Sequence, residues 1–145
     1  MEILKNQKEQ IALLKETGVL FDFPDMDTVI IKQNEIVFSQ IFSNKQLYSL
    51  AKEIFPSSKI IPVVYSLNLD AINIEWVTKN MRLYGINAKD LQRQLGFEKE
   101  KISNFLKLRT KLKPLEKSSL FYYFLTFENN KRYLDFLKLK KNENL

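Results

Sequence analysis

Two glycines eleven residues apart, Gly85 and Gly96, bracket the stretch that leaves this chain the fewest ways to fold. Glycine adopts the left-handed backbone angles that end a helix or reverse the chain, which other residues resist. Upstream, Asn73 is placed to cap a helix starting at Ile74, and Ile72 can staple onto Val77. Val77, Met81 and Tyr84 make a buried face with Trp76 beside it, and Gly85 ends the helix. Ile86 then enters the core, and Asn87 caps a second helix over residues 88–95 with Ala88, Leu91 and Leu95 on one side. Gly96 permits a sharp reversal, and Phe97 plugs the core beside it. Glu98 opens a third helix held down by Ile102, Phe105 and Leu106. The spacing predicts two short helices joined by a tight turn.

The flanks read differently. Residues 2–17 predict an amphipathic helix stopped by Gly18, followed by an apolar and acidic connector over 19–27. The β-branched stretch 28–32 and the apolar stretch 35–39 predict a hairpin about Gln33-Asn34. Asn44 is placed to cap a helix through Leu47, Leu50, Ala51 and Ile54 that stops before Pro56. Residues 59–67 predict a strand whose Pro62 suits an edge, a bulge or a strand start. Beyond the glycine-bracketed stretch, Pro114 opens a helix over 115–127, residues 131–139 predict a last short helix, and the tail 138–145 is expected to fray. The expected fold class is α+β. A small α+β unit over residues 1–70 precedes an all-α helix-turn-helix bundle over 71–145, with the joint at 67–73. An extended arm from the first half packing on the second is the alternative.

Composition narrows the chemistry. The chain has no Cys and no His, which excludes disulfides, thiolate or imidazole metal sites, and histidine-dependent nucleophilic or acid–base catalysis. Its three glycines lie too far apart for a phosphate-cradling loop. No enzyme activity, cofactor or metal is expected. Asp22, Asp25 and Asp27 are the one carboxylate group worth weighing as a cation site, and the favoured reading is turn formation beside Pro24. Neither an apolar leader nor a run long enough to span a bilayer occurs, so a soluble cytoplasmic protein without a membrane partner is expected. The net charge of +6 is unevenly placed. Residues 1–70 hold seven basic and nine acidic residues, net −2, whereas residues 71–145 hold sixteen basic and eight acidic, net +8. One half is suited to meet a polyanion.

Gly85-Ile86-Asn87-Ala88-Lys89-Asp90-Leu91, followed by Leu95-Gly96-Phe97 and Ile102-Ser103-Asn104, resembles the phage-repressor-like (lambda-repressor-like) helix-turn-helix family. The resemblance covers the C-terminal half, from residue 73 to about 127. It implies a compact helical bundle that binds duplex DNA sequence-specifically, as a transcriptional regulator of bacterial or mobile-element origin. Two positions depart from the family pattern. Gln92 stands where a small residue usually allows close helix contact, and Lys107-Leu108-Arg109-Thr110-Lys111 replaces the small residue after the third helix.

The second helix of such a pair fits the major groove, which places the reading helix at about residues 98–108. Lys99, Lys101, Ser103 and Asn104 are the candidate base readers. Asn87, Lys89, Arg93, Lys107, Arg109 and Lys111 are the candidate phosphate contacts, which position without specifying sequence. Glu98 and Glu100 repel phosphate and suit a helix N-terminus or a cytosine. The apolar run 120–125 is expected to be core, a base-stacking platform being the sharper alternative. The partners implied are duplex DNA, with a second copy of the chain and a protein held by residues 1–70 left open. A protein-interaction module or phage-type inhibitor using the same scaffold is the competing function.

Overall fold

A computed structural model describes residues 1–144, which fall into two compact units, residues 1–66 and 67–144. The division falls at the start of the 67–73 joint, four residues before the boundary drawn after residue 70, because Leu67 packs on the second unit's core and the short 3-10 turn Leu69–Ala71 follows it. The fold class is α+β.

The first unit runs α1 (Lys5–Glu16), β1 (Val19–Asp22), β2 (Thr28–Gln33), α2 (Asn44–Ile54) and β3 (Lys59–Val63). The sheet order is β1-β2-β3, antiparallel then parallel, with Val19 opposite Gln33 and Ile31 opposite Pro62. A parallel pair needs a crossover connection, and α2 supplies it between β2 and β3. Val29, Ile31 and Gln33 alternate inward along β2, and Val29 and Ile31 pack with Leu47, Ala51 and Ile54 of α2. Pro62 lies on an edge strand, where its missing N–H costs no ladder bond on the outer side.

The structure departs from the sequence expectations at the hairpin and at the α2 cap. The hairpin joins β1 to β2, so the supposed connector contains a strand and residues 35–39 form none. The cause is Gln33. Its buried side chain donates to the Glu35 and Gln40 carbonyls at 3.3 and 2.7 Å and accepts from the Phe42 amide at 2.9 Å. One amide thus folds the following segment back on itself, where a strand would have needed a ladder. The α2 cap is Ser43, one residue earlier than expected, in a reciprocal pair with Gln46.

The second unit continues with α3 (Ile74–Tyr84), α4 (Ala88–Leu95), α5 (Lys99–Leu106) and α6 (Pro114–Glu143). Ile72, Val77, Ile86, Leu91, Ile102, Phe105, Leu120, Tyr123 and Phe124 form its core. Trp76 stacks on Phe121 at 6.1 Å and meets Phe124 edge-on at 5.5 Å, so the aromatic run is chiefly core, with Tyr122 at the surface. The two helices expected over 115–127 and 131–139 are one continuous helix of 30 residues, since no breaker separates them and Glu128 pairs with Arg132 at 3.2 Å. The tail through Glu143 belongs to that helix, and Leu145 lies outside the described residues. No helix among the described residues is long and apolar enough to cross a membrane.

Candidate nucleic-acid interface

Local capping chemistry defines the paired helices. The Asn87 side chain accepts from the Asp90 amide at 3.0 Å while Asp90 accepts from the Asn87 amide at 2.9 Å, closing the N-terminus of α4 on itself. Gly96 has φ of 74° and stops α4, and Gly85 with φ of 67° stops α3. Only Gly96, Phe97 and Glu98 separate α4 from α5. Phe97 packs against Phe105 with ring centroids 6.3 Å apart, which holds the turn against the core. Leu91, Ile102 and Phe105 are almost wholly buried between these helices and the rest of the bundle. Gln92 is accommodated half-buried on α4, leaving Leu91 fully enclosed.

With Ile102 and Phe105 inward, the opposite side of α5 presents Lys99, Glu100 and, half-exposed, Ser103 and Asn104. Lys107 at the helix end continues the edge set by Lys99 and Ser103, four residues apart each time. Lys101 is placed otherwise: its Nζ lies 3.3 Å from a Glu116 carboxylate oxygen of α6, and both are largely covered. Glu98 occupies the cap position without a side-chain capping bond, so its carboxylate acts there only through the helix dipole. Asn87, Lys89, Arg93, Lys107, Arg109 and Lys111 are all exposed, although the Asn87 side-chain oxygen is spent on its cap.

The helix expected to run to about 108 ends at Leu106. Leu108 takes the left-handed conformation, φ 61°, and the Arg109 backbone amide donates to the Asn104 carbonyl at 2.8 Å. This is a helix-closing arrangement that glycine normally serves. No sequence signal announces it, because leucine is a poor occupant of that region.

Two tyrosines brace the bundle behind this surface. Burial pushes the Tyr123 hydroxyl above its ordinary pKa of 10, with the Asp90 charge adding to the shift, and that hydroxyl donates to Gln94 of α4. Burial likewise raises Tyr84, with Glu128 reinforcing and Arg132 opposing. In the first unit, Asp25 accepts from the Asp27 amide at 2.9 Å and the Thr28 hydroxyl at 3.1 Å, bonds that hold its pKa below the usual carboxylate value. These are turn bonds, and no group of three potential metal ligands exists among the described residues. Comparison of the chain with known protein families, curated proteins and solved structures gives no match.

Proposed function

We propose that the chain is a duplex-DNA-binding protein, acting as a transcriptional regulator, with α5 as the major-groove reading helix. The observation that carries this is the capped α4–Gly96–α5 pair, whose outward residues are Lys99, Ser103 and Asn104, with exposed Lys89 and Arg93 on α4 and exposed Lys107, Arg109 and Lys111 on the segment leaving α5. Lysine and asparagine suit guanine and adenine edges, and the central Glu100 suits a cytosine amino group. The surrounding cations set register on the phosphates. The experiment is duplex binding across a salt series. Removing one phosphate-binding cation flattens the log–log slope by about 0.9, so Lys89→Ala and Arg93→Ala should flatten it together by roughly twice that. Lys99→Ala and Asn104→Ala should instead relax base preference in a selection from random duplexes. Absence of salt-sensitive binding by the wild type would sink the proposal.

A second reading has its own observation. Tyr133, Leu134, Phe136 and Leu137 on the outer part of α6 are each 43 to 61% exposed, a surface suited to a protein partner. Stoichiometric capture of a protein without duplex binding would favour an interaction module instead.

A further inference from the structure

A half-open cleft of about 470 Å³ lies in the second unit, between the start of α3 and the segment leaving α5. That volume is within the range of small-molecule sites. Its floor is apolar: Ile72 and Phe105 are each 2% exposed, and Leu112 packs against the same core. Its cationic residues are Arg109, Lys111 and Lys117, and no carboxylate lines it. The Lys117 ammonium is fixed by donating to the Leu69 carbonyl at 3.0 Å. Arg109 and Lys111 take part in no carboxylate pair among the described residues. Leu108, on the same wall, is 74% exposed and left-handed, a combination that neither burial nor backbone preference favours.

We propose that this cleft binds a small organic anion, with an apolar body on the Ile72 and Phe105 floor and a carboxylate or phosphate against Arg109 and Lys111. An apolar surface beside uncompensated positive charge fits neither a neutral hydrocarbon nor a bare inorganic anion as well as a molecule carrying both parts. Occupancy would also take Arg109 and Lys111 from the phosphate backbone. The ligand would then lower DNA affinity, and this consequence alone rests on the DNA-binding proposal above.

The test uses the full chain, ¹⁵N-labelled, titrated with hexanoate, octanoate and 1-hexanol and without DNA. Saturable amide shifts should gather at Ile74 and residues 108–112. Affinity should rise roughly fourfold per added methylene, and hexanoate should bind more tightly than 1-hexanol. Arg109→Gln with Lys111→Gln should weaken octanoate about tenfold while the rest of the spectrum stays unchanged. Equal affinity for the alcohol and the carboxylate, an unaffected double variant, or shifts centred elsewhere would each overturn the proposal. In a separate arm, saturating octanoate should weaken wild-type duplex binding. A filled cleft with unchanged duplex affinity refutes the coupling. A chain that binds octanoate but shows no salt-sensitive duplex binding refutes the DNA reading and leaves the anion site standing.

Discussion

Replacing Gly18 by alanine tests the first unit's architecture more sharply than any core truncation. Gly18 has φ of 83°, and a β-carbon built there would lie 2.3 Å from the Glu35 carbonyl oxygen, a backbone atom that cannot swing aside. The Gly18 carbonyl also accepts from the Asn34 amide at 2.8 Å, so relieving the clash means displacing a segment bonded to this residue. The left-handed conformation costs a non-glycine residue about 1–2 kcal/mol, and a disrupted backbone hydrogen bond about 1 kcal/mol more. With the steric displacement added, Gly18→Ala should lose at least about 3 kcal/mol. Gly96→Ala is the internal control. Its φ is 74°, but a β-carbon there meets nothing within 4 Å, so only the conformational cost applies. The unfolded chain's lost freedom returns some of that, leaving roughly 1 kcal/mol. Urea unfolding followed by far-ultraviolet circular dichroism measures both. If Gly18→Ala proves no more damaging than Gly96→Ala, the Glu35 carbonyl does not face Gly18 and the path of residues 34–42 is wrong.

Gln33→Leu should cost roughly 1–3 kcal/mol, because it removes the part-buried bonds to the Glu35, Gln40 and Phe42 backbone, and amide exchange at Phe42 should accelerate. Glu116→Gln should change stability by less than about 1 kcal/mol yet release Lys101, steepening the salt dependence of duplex binding by up to about 0.9. The raised pKa of Tyr123 means the fold favours its neutral form. Its contribution is therefore complete below the unfolded value near 10 and disappears as pH rises through the folded value, a loss that Tyr123→Phe should abolish in alkaline melts.

Legibility in the sequence followed the range of the interactions involved. The bounds of α3 and α4 were readable because their determinants lie within four residues: Asn73 and Asn87 cap, and Gly85 and Gly96 stop. The pairing of β1 with β2 was not, since its partners are up to fourteen residues apart and Asp22 and the Asp25–Asp27 turn disguise a strand as connector. Residues 35–39 have strand composition, which the buried Gln33 amide's bonds to Gln40 and Phe42 override. At the candidate interface, burial of Ile102 and Phe105 followed from their spacing. The draw of Glu116 on Lys101 and the left-handed Leu108 depend on α6 and on the chain's exit, which no local pattern encodes.

The continuity of α6 has a thermodynamic consequence of its own. Nucleating a helix in water carries an unfavourable factor on the order of a thousandth, and a free peptide spanning residues 129–143 would face it alone. Here Leu120, Tyr123 and Phe124 clamp the earlier turns into the core, so the outer turns inherit a finished nucleus and need only propagate. Warming should accordingly erode helicity residue by residue from Glu143 inward. That shallow slope in ellipticity should precede the cooperative melting of the bundle, as a zipper opens before its anchored end gives way.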